Sequence, residues 1–239
     1  MNGLGAILFD LGGTLLREES FEPEAWAETL HPLQEGPRPL PPDRLRELTR
    51  QLITEFRRPS KEGLVEVRME ACLRHLNDRL GVASRVPAAE LELAFWQATC
   101  RMSAEPSVAR VLAALAGRGV PMGVVSNSMF CAEVLAWELA RHGLAGHFRF
   151  LLSSADYALR KPHPSLFRTA LARLGLAAEQ VWFVGDSYAN DVAGAAAVGM
   201  RAVWYNPGGV PAAGTWPLVE VRHWDDFLRL CIHEHGPFV

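Results

Sequence analysis

The stretch Ala6-Ile-Leu-Phe-Asp-Leu-Gly-Gly-Thr-Leu-Leu16 constrains the fold of this chain more than any other. An apolar run stops at a carboxylate, Asp10, and two glycines and a threonine follow at once. A short apolar run bounded by glycines reads as a strand buried on both faces, the pattern of a parallel sheet. In open sheets of that kind ligands bind beyond the carboxyl ends of the strands, so this strand delivers Asp10 to a site. Thr14 reads as a residue that shapes the turn.

The rest of the chain divides in two. From about residue 17 to 103 the spacing is helical, without evident strands. Residues 32 to 42 carry five prolines and a glycine and read as a connector. Leu45, Leu48, Leu52 and Phe56 mark one amphipathic helix; Leu64, Val67, Ala71 (or Cys72) and Leu76 mark a second; Leu91, Ala94, Phe95 and Ala98 mark a third. So long an insertion after one strand must be a subdomain, because loops of that length do not occur in compact domains. After residue 107 strands and helices alternate. Strands are expected at 120–125, 148–152, 181–184 and 200–205; helices are expected at 108–116, 130–141, 164–174 and 191–198. The tail with Trp224, Phe227, Leu228 and Leu230 reads as a docking helix. The alternation implies an α/β fold with a doubly wound parallel sheet. The division is therefore a core of residues 1–16 and 104–239 and a helical subdomain of residues 17–103.

Composition narrows the function classes. A formal net charge of −3 gives no reason to expect a nucleic-acid or membrane-surface partner. No apolar run approaches the roughly 18–20 residues that span a bilayer, and the first residues lack the basic flank of a signal peptide. Cys72, Cys100, Cys131 and Cys231 are far apart in apolar contexts and read as core thiols of a cytoplasmic protein. Of 24 basic residues only Lys61 and Lys161 are lysines, so an ammonium is retained at two places in a chain that otherwise uses guanidinium.

Three further polar clusters sit at expected strand ends or helix starts: Ser126-Asn127-Ser128, Arg160-Lys161-Pro162-His163, and Gly185-Asp186-Ser187 with Asn190 and Asp191. Carboxylates, a hydroxyl and one ammonium gathered at one sheet edge favour a hard cation such as Mg²⁺, which offsets their repulsion and neutralises a phosphate. Phosphoryl transfer needs that set: a nucleophile, a metal clamp and donors for the equatorial oxygens. Glu66, Arg68 and the pair Arg57-Arg58 read as a solvated helix face, and His233 with His235 as solvated tail residues. Gly208-Gly209 lacks a dinucleotide-binding context, and no P-loop pattern occurs.

With these residues the chain resembles the haloacid dehalogenase-like (HAD) hydrolase superfamily. Asp10-Leu-Gly-Gly-Thr14 resembles its first motif, Ser126 its second, Lys161 its third, and Gly185-Asp186-Ser187-Tyr-Ala-Asn-Asp191 its fourth. Residues 17–103 fall where the family carries a C1-type cap. The resemblance implies that Asp10 is the nucleophile that forms an aspartyl-phosphate. It implies Mg²⁺ binding by Asp10, the Gly12 carbonyl and Asp186, with Asp191 acting through water or orienting Lys161. Ser126 and the Asn127 amide then hold phosphate oxygens, and Lys161 screens Asp10. The expected function is that of a Mg²⁺-dependent phosphatase of a small phosphorylated metabolite, monomeric or homodimeric. One position departs from the family: Gly12 stands where phosphatases usually carry an aspartate that protonates the leaving group. Two alternatives follow from that glycine, a metal-independent 2-haloacid dehalogenase and a catalytically weak binding or regulatory protein on the same scaffold.

Overall fold

The computed structural model describes the backbone of residues 4–30, 34–35, 41–81, 83–84 and 86–235; within these, the side chains of 30, 34–35, 57–62, 80, 83–84, 88–89 and 234–235 are not described. The strands in chain order are β1 (Ala6–Phe9), β2 (Leu16–Phe21), β3 (Gln34–Glu35), β4 (Ala83–Ser84), β5 (Cys100–Ala104), β6 (Met122–Ser126), β7 (Leu151–Ser153), β8 (Val181–Gly185), β9 (Arg201–Tyr205) and β10 (Val219–Val221). The helices are α1 (Trp26–Leu30), α2 (Pro42–Gly63), α3 (Met69–Leu80), α4 (Ala88–Thr99), α5 (Val108–Ala116), α6 (Ala132–Arg141), α7 (Ser154–Tyr157), α8 (Pro164–Leu174), α9 (Ala193–Ala197) and α10 (Trp224–His235).

Six strands form one sheet in the order β10-β9-β8-β1-β6-β7, and every pairing in it is parallel. The two faces of each strand go to two cores. Ile7 and Phe9 face one cluster and Ala6 and Leu8 the other, as the two-residue period of a strand requires. The first cluster is closed by Val111 and Leu115 of α5, Val134 and Leu139 of α6, and Trp224 and Phe227 of α10. The second is closed by Leu166, Phe167 and Ala170 of α8 and Ala195 of α9. Phe9, Phe167 and Phe227 are fully buried; each such side chain contributes about 1.5–3 kcal/mol.

Successive strands run outward from β1 in opposite directions, through β6 and β7 on one side and β8, β9 and β10 on the other. The crevice between these two halves, at the carboxyl ends of β1, β6 and β8, is the switch point where such sheets bind ligands. Among the described residues no helix is long and apolar enough to cross a membrane.

The structure departs from the sequence reading in several places, among them the short pair β3–β4, the helices α1 and α7, and β7, which begins at Leu151 rather than at 148. Residues 17–103 are not free of strands: β2 and β5 pair antiparallel from Leu16↔Ala104 to Phe21↔Cys100. β2, Leu-Arg-Glu-Glu-Ser-Phe, has no apolar alternation, and the short alternation of β5, Cys-Arg-Met-Ser-Ala, follows directly on the apolar spacing of α4. The second helix begins at Met69, because Val65 instead bridges Leu159 in an antiparallel contact; helical spacing of Leu64 and Val67 is incidental. A π-helix over Tyr188–Val192 precedes α9 where one continuous helix was expected. Finally β10, three residues long, is too short to leave a pattern. All four cysteines are buried and free, as read.

Candidate active site

The crevice holds a cleft of about 370 Å³ whose floor is Asp10, Ser126, Lys161, Asp186 and Asp191. These come from separate parts of the sequence. Asp10 follows β1 and is fixed by its amide, which donates to the Val184 carbonyl of β8 at 2.8 Å. The next residues turn sharply. The Leu11 carbonyl accepts from the Leu15 and Leu16 amides at 2.9 Å, and the Gly13 amide donates to Leu16 at 2.7 Å. Gly13 has φ +81°, and a β-carbon there would lie 2.5 Å from Asp186 Oδ2; only glycine lets the two loops meet. None of these bonds uses the Gly12 carbonyl, and a β-carbon built on Gly12 has nothing within 4 Å.

Lys161 is the centre of the cluster and is 2% exposed. Its Nζ donates to Asp10 Oδ1 at 2.6 Å and to the Val125 carbonyl at 2.8 Å, and lies 2.7 Å from Asp191 Oδ1. Burial opposes its charge, but the Asp10 and Asp191 carboxylates outweigh that and raise its pKa. Its main chain is held by Asn127, whose Nδ2 donates to the Lys161 carbonyl at 2.9 Å and whose Oδ1 accepts from the Lys161 amide at 2.7 Å. That side-chain role of Asn127 has no signature in the sequence.

Asp191 is 1% exposed. Its Oδ2 accepts from the Ser187 amide at 2.9 Å, so with Lys161 on Oδ1 both oxygens are engaged. Burial pushes its pKa up, opposed by Lys161 and assisted by Asp10. Gly185 makes room for it, since a β-carbon there would lie 2.4 Å from the Asp191 carboxyl. Asp186 opens onto the cleft, yet the protein packed around it and then the Asp10 charge push its carboxyl up to about 6.

Oxygens of Asp10, Asp186 and Asp191 all lie within 4.8 Å of one another. Three carboxylates face one ammonium, and the excess negative charge together with the raised Asp186 marks a place for a hard cation. The Ser126 hydroxyl at the end of β6 lines the same cleft and makes no hydrogen bond among the described residues.

The structure corrects the reading of the insertion's charges. Glu66 is not on a solvated face: it is 4% exposed. It pairs with Arg160, the residue before Lys161, and accepts from Ser154 Oγ at 2.7 Å. Arg68 is paired with buried Glu92 at 3.0 Å. The side chains of Arg57 and Arg58 lie outside the described residues, as does that of His235; His233 is exposed. No sequence signal joins Glu66 to a residue 94 positions away. Glu66→Ala leaves Arg160 without its partner in a largely buried position and is expected to cost about 3 kcal/mol, read as a lower urea midpoint with an unchanged m-value.

The family model for haloacid dehalogenase-like hydrolases matches residues 4–199. A phosphoserine phosphatase of Thermus thermophilus is 36% identical over 121 residues, 51% of this chain and 48% of the relative. A phosphoglycolate phosphatase of Pectobacterium atrosepticum is 41% identical over 129 residues, 53% of this chain and 54% of the relative. The chain thus spans about half the length of the curated relatives it matches. Among solved structures, a 2-haloacid dehalogenase of Pseudomonas syringae superposes with a TM-score of 0.67 at 28% identity, over 96% of this chain and 99% of the other. A HAD phosphatase of Thermococcus onnurineus gives 0.66 at 23% identity, over 96% and 99%.

Proposed function

The chain belongs to the haloacid dehalogenase-like hydrolase family, and from that premise we propose a Mg²⁺-dependent phosphatase of a small phosphorylated metabolite. The observation that carries this reading is the set of three carboxylates within 4.8 Å, answered by a single ammonium. Relatives named as phosphatases support it.

In this reading Asp10 attacks phosphorus. Lys161 holds Oδ1, leaving Oδ2, with its one long Thr14 contact of 3.3 Å, as the freer oxygen. The P–O bond to the leaving group breaks and an aspartyl-phosphate forms; water then attacks phosphorus and restores Asp10. Lys161 screens Asp10 from the incoming anion, and the Ser126 hydroxyl and Asn127 amide receive the phosphate oxygens. Asp10, Asp186 and the Gly12 carbonyl would hold Mg²⁺, which neutralises charge on the phosphoryl group when bound. Asp191, with both oxygens engaged, positions Lys161 and the Ser187 turn. We assign residues 17–103 the part of a cap over this cleft and the free cysteines to a cytoplasmic setting.

Metal and protons compete at Asp186. Without metal, burial and then the Asp10 charge hold its carboxyl at about 6, against 3.8 for an ordinary aspartate. The folded chain therefore binds the extra proton between those values, and metal-free stability falls as pH rises through that window. Mg²⁺ is expected to raise the melting temperature most above pH 6, and the Mg²⁺ needed for half-maximal activity should climb about tenfold per pH unit below it. A Mg²⁺ requirement flat from pH 5 to 8 would remove Asp186 from the metal site.

The decisive experiment is a panel of phosphate monoesters assayed with Mg²⁺ and with a chelator. Turnover with Mg²⁺ only is the expected result; none on any ester rejects the reading. The second reading, a 2-haloacid dehalogenase, draws on Gly12 and on the structural neighbour of that name. Asp186 opposes it, because an anionic carboxylate substrate gains nothing from an additional carboxylate. Chelator-insensitive chloride release from 2-chloropropionate would reverse the ranking.

A further inference from the structure

We infer that Glu18, on the first strand of the insertion, is the general acid and base that Gly12 cannot be. The inference rests on the phosphatase reading and supplies the group that reading lacks. The turn that carries Asp10 leads directly into β2, since Leu16 both closes the turn against Gly13 and begins the strand. Along β2 three charged residues follow, and two of them are tied together. Arg17 pairs with Glu19 at 2.9 Å, and Glu19 also accepts from Ser103. Glu18 has no hydrogen-bond or ion-pair partner among the described residues.

The ribbon directs Glu18 into the cleft. Its cross-strand partner is Met102, and that of Phe21 is Cys100. All four line the cleft. Glu18 and Phe21 are three residues apart, a spacing that an undisturbed strand would send to opposite faces. The register shift between Glu18 and Ser20 corrects this and turns both to the same side. Around them the wall is apolar, with Trp96, Met129 and Phe130. The other ionisable groups of the cleft are engaged or unsuited. Asp10, Asp191 and Lys161 bind one another, Asp186 belongs to the metal set, and Arg160 is held by Glu66. Burial pushes the Cys100 thiol up to about 12. Glu18 is left as the unengaged carboxylate of the cleft that Gly12 also lines.

The proton balance is complete. As Asp10 forms its bond to phosphorus, the Glu18 carboxyl gives its proton to the departing oxygen. The resulting carboxylate then takes a proton from the water that attacks the aspartyl-phosphate, which returns Glu18 to its acid form.

The test is the dependence on leaving group, measured for Glu18→Gln, Gly12→Asp and the double variant on an alkyl phosphate and on p-nitrophenyl phosphate. An alkoxide needs protonation and p-nitrophenolate does not. Glu18→Gln should therefore lower the ratio of alkyl to aryl kcat by about 10²-fold, and Gly12→Asp in that background should restore it. The pH profile of kcat on the alkyl ester should lose its acid-side or base-side limb in Glu18→Gln and regain it in the double variant. An unchanged ratio, or equal losses on both esters, overturns the role of Glu18 while leaving the phosphatase reading intact. Absence of all turnover in the parent protein overturns the phosphatase reading instead.

Discussion

Asp10→Asn should lower kcat on every phosphate ester by at least about 10⁴-fold, because in the proposed mechanism Asp10 forms the covalent intermediate. The same substitution should make the metal-free protein more stable, by about 1 kcal/mol at pH 8. Asp10 is one of three carboxylates sharing one ammonium, and its charge is among the causes that raise both Asp186 and Asp191. An amide relieves that repulsion and nearly preserves the volume. Added Mg²⁺ should then stabilise the variant less than the parent, since one oxygen ligand has become a weaker one. Steady-state kinetics and thermal melts with and without Mg²⁺ read all three effects. A variant that lost stability and kept turnover would show that Asp10 is structural.

Lys161→Met is the second large effect, and it falls on stability and rate together. The ammonium lies within 2.8 Å of Asp10, Asp191 and the Val125 carbonyl, in a position from which water is excluded. Methionine fills much of the space and leaves two buried carboxylates uncompensated. Breaking a buried pair in this way costs about 3–5 kcal/mol. The kcat should fall by about 10²–10³-fold as the charge aimed at the phosphoryl group is lost. Lys161→Arg should not rescue either property. The Phe183 ring lies 5.1 Å from Nζ and closes one side, and a planar fork cannot reach the three acceptors as an ammonium does. Urea midpoints and kcat for both variants test this; an arginine variant near parental activity would mean that charge alone, without its geometry, suffices.

The residues that make the site were legible where a buried strand runs into polar chemistry. Asp10, Ser126 and Asp186 all follow continuous apolar runs, and a run of that kind both predicts the strand and locates its end. Lys161 was legible because an ammonium is rare in this chain and precedes a proline-started helix. What the sequence hid depends on partners far apart. Asn127 reads as a residue whose amide holds phosphate, and nothing in the sequence shows that its side chain clasps the Lys161 peptide. Glu66 reads as a surface charge until Arg160 and Ser154 enclose it. The β2–β5 ribbon was hidden for a different reason: β2 has no apolar alternation, and the five-residue alternation of β5 runs straight on from the apolar spacing of α4. The bulge that turns Glu18 inward is likewise a property of two strands and not of either one.

The ribbon has a consequence for how such a chain can change over time. Leu16 and Ala104, where β2 begins and β5 ends, are direct cross-strand partners, about 5 Å apart as such pairs are. The sheet therefore experiences the whole excursion as a hairpin, whatever its length. Lengthening a segment closed at its ends costs only about 0.6 kcal/mol per doubling, so the residues between can be replaced wholesale while the strand order and the carboxylates stay as they are. On the proposed reading of residues 17–103 as a cap, inheritance can exchange that segment as a cassette and leave the proposed nucleophile undisturbed.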